Sequence, residues 1–147
     1  MKRKVLLLFL VLFLISILAG CGLNFLDFCD ESSRAEQTVW DYWQAIINRQ
    51  YELAKYYCIV DGIWYNKTDE WEEYINTISQ GETSILILNP HFQGETEVIG
   101  NNATVYMYVS IAKITFFNNH FIYEGETFEY EIELIKQDHP PGDWELK

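Results

Sequence analysis

The residues suited to chemistry are few. The chain holds three cysteines, Cys21, Cys29 and Cys58, and three histidines, His91, His120 and His139. A thiolate can attack an electrophile, bind a metal or pair with a second thiol. No Cys-x-x-Cys and no Cys/His spacing of the metal-binding kind occurs, so neither a metal nor a cofactor is expected. Cys29 and Cys58 form an even pair that an oxidising compartment could join as a disulfide. If they stay free, Cys58 reads as a small buried apolar residue. His91 follows Pro90, His120 follows Asn118-Asn119, and His139 precedes Pro140-Pro141, all settings of solvated turns. Asp61 precedes Gly62 and reads first as the turn residue that stops a helix. One row of carboxylates is regular: Glu129, Glu131 and Glu133 alternate with Phe128, Tyr130, Ile132 and Leu134. Along a strand such carboxylates stand about 7 Å apart, too wide for one compact cation site, so a solvated sheet face is expected.

Cys21 has a special position. Met1-Lys2-Arg3-Lys4 is a positive head, Val5 to Leu18 is an apolar run interrupted only by Ser16, and Ala19-Gly20 are small. That order is the layout of a secretory signal over residues 1–20. The run is shorter than the roughly 20 residues a spanning helix needs. Leu18-Ala19-Gly20-Cys21 resembles the lipobox of bacterial lipoproteins at all four positions. The resemblance implies that the Cys21 thiol takes a diacylglyceryl group and becomes the mature N-terminus. It implies a membrane partner through that lipid, with each buried CH₂ contributing about 0.8 kcal/mol. Gly22 after the cysteine leaves no Asp of the inner-membrane retention kind. The address is then the cell membrane or, in a two-membrane cell, the outer membrane.

The leader holds three of the 10 basic residues and none of the 22 acidic ones, so the remainder carries 7 against 22, a net charge near −15. Such a surface repels nucleic acid and anionic headgroups, and neither suits it as a partner. Residues 21–32 follow as a lipidated N-terminal segment. Leu23, Phe25, Leu26 and Phe28 make it too apolar for a flexible tether, so it is expected to lie on the domain or the membrane.

One domain is expected over residues 33–147. Ser33 with Glu36 reads as a capping box opening a helix with Val39, Trp43, Ile46 and Ile47 on one stripe, ending near Arg49. A second helix covers Tyr51 to Cys58. Asp69 with Glu72 reads as a further cap, with Trp71, Ile75 and Ile78 facing inward and Gly81 as the stop. After Gly81 the period becomes two. Strands are expected at Ile85–Leu88, Glu95–Ile99, Ala103–Phe117, Phe121–Lys136 and Trp144–Lys147. Gly100-Asn101-Asn102, Asn118-Asn119 and Pro140-Pro141-Gly142 form the turns between them. Helices followed by an antiparallel meander make an α+β domain, with helices on one face of a curved sheet.

This order resembles the cone-shaped α+β superfamily of nuclear transport factor two and the SnoaL-like proteins, also described as cystatin-like. The likeness rests on three stretches: Thr38-Val39-Trp40-Asp41-Tyr42-Trp43-Gln44-Ala45-Ile46 with Tyr51-Glu52-Leu53-Ala54, Asn102-Ala103-Thr104-Val105, and Asp143-Trp144-Glu145-Leu146. It implies a cone enclosing an apolar pocket. In the enzymes of that superfamily a carboxylate or His serves there as base opposite a Tyr. Asp61 and His120 are the weak candidates here. Trp40, Trp43, Tyr57 and Trp64 are candidates for a ligand pocket suited to a small apolar ligand, though at helical spacing they also read as core. On the long strand, Val105, Met107, Val109 and Ile111 mark one face, and Tyr106, Tyr108, Ser110 and Ala112 the other. The tyrosine face is either a partner or homodimer surface or is covered by the protein's own loops. With no convincing acid/base pair, a non-enzymatic binding module in the envelope is expected. An isomerase or dehydratase type of enzyme is the alternative. A base buried against a Tyr inside the cone would decide for it.

Overall fold

The computed structural model describes residues 30–79, 84–137 and 144–147. Residues 1–29, with the expected signal, Cys21 and Cys29, lie outside the described residues, as do Gly81, His139 and Pro140-Pro141-Gly142. Helix α1 runs Glu31–Ile47 and buries Ala35, Val39, Tyr42, Trp43 and Ile46. These recur every three or four residues and so share one stripe. The helix starts two residues before Ser33, so the expected capping box does not form. Glu31 instead supplies the acidic first turn, which suits the helix dipole. Its carboxylate meets Lys136 Nζ at 2.8 Å, and that ammonium's hydrogen bond holds its pKa below the usual value. Glu36 turns to the sheet side and accepts the Thr96 hydroxyl at 2.6 Å.

The helix closes in a Schellman turn: the Arg49 N–H bonds the Ile46 carbonyl at 3.0 Å and the Gln50 N–H bonds the Ala45 carbonyl at 2.8 Å. Arg49 takes the left-handed φ of 58° that this turn requires. Helix α2 is short, Tyr51–Tyr56, and helix α3 runs Ile63–Ser79. The helix expected to open at Asp69 therefore begins six residues earlier. Asp61 (φ 60°) turns the chain, and the C-terminus holds the new helix start: the Trp64 N–H bonds the Lys147 carbonyl at 3.3 Å. Gly62 is required there, because a Cβ would stand 2.9 Å from the Ile59 oxygen.

The strands are β1 (Ser84–Phe92), β2 (Glu97–Ile99), β3 (Asn102–Phe117), β4 (His120–Lys136) and β5 (Trp144–Leu146). They form one antiparallel sheet in the order β1-β3-β4-β5, with β2 continuing the β1 side of β3. β1 passes through Pro90 rather than stopping at it, as an edge strand allows, because that edge needs no N–H there. Asn118 and Asn119 both take positive φ, 49° and 62°, the type I′ geometry that suits a two-residue hairpin. The sheet curls strongly into a half-barrel, an α+β cone with the helices packed in its concave side.

Ala103, Val105, Met107, Val109 and Ile111 of β3 are buried, as are Ile132 and Leu134 of β4, Trp144 and Leu146 of β5, and the helix stripes facing them. Trp43 centres this core, within 5.4 to 6.2 Å ring to ring of Tyr42, Trp64, Trp71 and Tyr130. Glu31–Lys147 forms one compact unit. Among the described residues no helix is long and apolar enough to cross a membrane.

Candidate functional site

Helix α1 packs on β3 and β5, and α3 on β1 and β5. α3 reaches β4 through side chains, Trp64 and Lys67 on Tyr130. The cone is therefore open along the gap between α3 and β4. Lys67, Glu70, Trp71 and Tyr74 stand on one side of α3 at the i, i+3, i+4, i+7 spacing that aligns a helix face. Ile111 of β3 and Phe128 and Tyr130 of β4 face them across a slot of about 240 Å³. The β-strand period fixes this choice: Phe128 and Tyr130 share the concave face with buried Ile132 and Leu134.

The slot wall is aromatic. Trp71 is 7 % exposed and backs the slot, braced by Trp43 at 5.4 Å, while Phe128 and Tyr130 stack at 6.5 Å. Lys67 Nζ lies 5.7 Å from the Tyr130 ring centre, a cation–π approach. It also pairs with Glu70 at 3.9 Å, whose side chain is 74 % exposed. Burial, and then the Glu70 charge, push the Tyr130 phenol up to about 12. The phenol stays protonated at neutral pH and can donate a hydrogen bond. This arrangement can stack a flat or apolar group and offer it one cation and one hydroxyl at the mouth.

Two hollows extend the slot along β4. Toward the C-terminus Ile63, Trp64, Glu131, Glu133 and Lys147 join Lys67 and Tyr130, and toward the hairpin Ile78, Lys113, Glu124 and Glu126 join Tyr74 and Ile111. On the convex side a larger, shallow hollow of about 840 Å³ gathers Glu95, Glu97, Tyr106, Glu129 and Glu131. Among the described residues no three His, Cys, Asp or Glu side chains converge as a metal site needs.

Of the aromatic residues expected to line a pocket, Trp43 and Trp64 meet each other in the core, at 6.2 Å. Trp40 lies on the outside of α1 against Phe92, also at 6.2 Å. Tyr57 is half-buried beside Tyr56 at the end of α2. Asp61 is exposed in the turn before α3, where its carbonyl accepts from the Asn66 amide at 3.3 Å. His120 is exposed at the hairpin tip, and His91 lies on the convex face with its ring 5.0 Å from Tyr108. None of these lines the 240 Å³ slot itself, and Trp64 alone among them borders the hollow that continues it past Lys67 and Tyr130. Tyr106 and Tyr108 stand half-buried on the convex face, opposite the core residues of β3. Glu145 accepts from the Gln137 amide at 3.2 Å.

Cys58 is a buried free thiol whose Sγ lies 3.5 Å from the Ala54 carbonyl. Burial pushes it up to about 12, so it is inert at neutral pH. Cys29, with which it was paired as a candidate disulfide, lies outside the described residues. The slot residues Lys67, Glu70, Trp71, Tyr74, Phe128 and Tyr130 were not foreseen as a group. The helical spacing of Lys67, Glu70, Trp71 and Tyr74 is the signal for the helix side, and a helix opening at Asp69 leaves Lys67 out of it. No protein-family model matches the chain, and no curated protein matches it.

Proposed function

We propose that this chain is a lipid-tethered envelope protein whose cone domain works as a non-enzymatic binding module. The tether reading rests on the basic head, the apolar run and Leu18-Ala19-Gly20-Cys21. The binding reading rests on one observation: the open slot is walled by Trp71, Tyr74, Phe128, Tyr130 and Ile111, with its charged pair at the rim. Such a site gives contact area and orientation without a base held dry. The element order and the curled sheet are compatible with the cone superfamily of nuclear transport factor two, to which we assign the domain on its sequence likeness. That superfamily includes binders and assembly modules as well as enzymes, and the site has to decide between them.

An isomerase or dehydratase reading needs a carboxylate or His desolvated against a Tyr. Glu70 is the one carboxylate lining the slot beside Tyr130, and its exposure works against that role. The test is native mass spectrometry of the protein released from membranes of its own host, alongside Cys21→Ala. A chain starting at Cys21 with added acyl mass, together with a bound species lost on Trp71→Ala, supports both halves. An unmodified chain removes the tether. A slot that stays empty, in a protein that turns over a carbonyl substrate, replaces the binder with the enzyme.

A further inference from the structure

We propose that the free edge of β4 accepts an extended, cationic polypeptide segment, which joins the sheet as an added strand and sets its apolar side chains in the slot. The inference rests on the binding-module reading and names its partner class. Its basis is a mismatch of lengths. β4 has 17 residues, but β5 pairs only with Leu134, Ile135 and Lys136. From His120 to Ile132 the side of β4 away from β3 has no strand partner among the described residues. Every second residue there turns its N–H and C=O outward. Folded proteins blunt such edges with prolines, lysines, bulges or a covering element. Between His120 and Ile135 β4 contains no proline and no lysine, and its pairing with β3 runs unbroken.

What it contains is glutamate: Glu124, Glu126, Glu129, Glu131 and Glu133. Lys113 pairs with Glu124 and Lys147 with Glu133, each at 3.4 Å. Between them Glu126, Glu129 and Glu131 have no ion pair among the described residues. A second copy of this chain is a poor occupant, because β4 against β4 brings together two strands that each carry five glutamates and, between His120 and Ile135, no lysine. A basic strand meets the opposite situation.

The two faces specify its pattern further. An added strand lies about 4.8 Å from β4 and alternates its side chains as β4 does. On the concave side its residues stand beside Phe128 and Tyr130, under Trp71 and Tyr74 of α3, where the hollows along the gap leave room, with Glu126 and Glu124 on the same face only nearer the hairpin. On the convex side they stand beside Glu129 and Glu131. The segment recognised therefore alternates apolar residues with Lys or Arg. Main-chain hydrogen bonds supply affinity and the alternate side chains supply specificity, as in other strand-addition sites.

The test titrates the full chain with a ten-residue peptide of alternating Lys and Val. Controls are the same peptide with Glu for Lys, and two versions N-methylated at every Lys or every Val amide. The Lys/Val peptide should bind, the Glu/Val peptide should not, and one N-methylated version should lose at least tenfold in affinity. Glu129→Gln with Glu131→Gln, both exposed, should weaken binding about 3- to 10-fold and flatten its salt dependence. Binding of both N-methylated versions as tightly as the unmethylated peptide overturns strand addition, because charge alone then explains the attraction. A concentration-dependent dimer abolished by Thr127→Pro overturns it too, since a second copy then occupies the edge. If no peptide binds while free indole shifts the Trp71 indole N–H resonance, edge docking fails and the slot reading survives. If indole also leaves that resonance unmoved, both fail.

Discussion

Thr68 is the one buried polar side chain among the described residues, and it lies in the middle of the aromatic core. Its Oγ1 stands 2.9 Å from the Trp64 carbonyl and 3.2 Å from the Tyr42 hydroxyl. A hydroxyl has one hydrogen. Thr68 therefore donates to the carbonyl one turn back and accepts from the Tyr42 phenol. Tyr42 and Thr68 are both 0 % exposed, so water cannot replace the acceptor. Thr68→Val keeps the shape and strands the Tyr42 O–H, which should cost about 1–3 kcal/mol. The Trp64 carbonyl keeps its helix N–H and adds little. Tyr42→Phe alone should cost about 1 kcal/mol, because Thr68 retains its carbonyl partner. The double variant strands nothing and should cost less than the two singles combined, with a coupling of about 1 kcal/mol or more. Urea unfolding followed by tryptophan fluorescence measures all four proteins. Costs that add within about 0.3 kcal/mol would refute the hydrogen-bond assignment.

Gly62→Ala should destabilise the domain by about 1–3 kcal/mol, read by the same unfolding curves, since the new methyl meets the Ile59 oxygen at 2.9 Å. Asn119→Gly should stabilise it by about 0.5–1 kcal/mol, because φ 62° is free of strain for glycine; a loss of stability would contradict the type I′ turn. Cys58 and Tyr42 both have pKa values raised by burial, from ordinary values of 9.0 and 10.0. Their contribution is complete below those values and declines as pH rises, by about 1.4 kcal/mol per pH unit for each group. Stability should therefore begin to fall near pH 9, and Cys58→Ala should delay the onset to near pH 10. Native Cys58 should also resist alkylation at pH 8 that proceeds readily in urea.

Most of the fold was legible in the sequence because its signals are local. The alternation from Ala103 to Ile111 gave β3 its buried face, and Asn118-Asn119 gave the hairpin. The start of α3 shows the limit. Asp69 and Glu72 have the spacing of a cap, yet the hydrogen bond that opens α3 comes from the Lys147 carbonyl, far along the chain. The same holds for the site. The alternation of Phe128 and Tyr130 with glutamates marked an inner face correctly. Nothing local could say that α3 would leave that face open, because the placement of α3 depends on β1 and β5. Trp43 and Trp64 had the composition of a pocket and became the wall behind it. Trp71 and Tyr74, which carry the same composition two turns further on, face the opening.

On the proposed reading, this protein works through the gap between α3 and β4. A photo-crosslinking residue at Tyr74, compared with one at Tyr108 on the convex face, tests it in intact cells of the native host. Adducts from Tyr74 in the membrane fraction, with none from Tyr108, are the predicted result. Adducts from Tyr108 alone would contradict the account and move the working surface to the tyrosine face of the sheet.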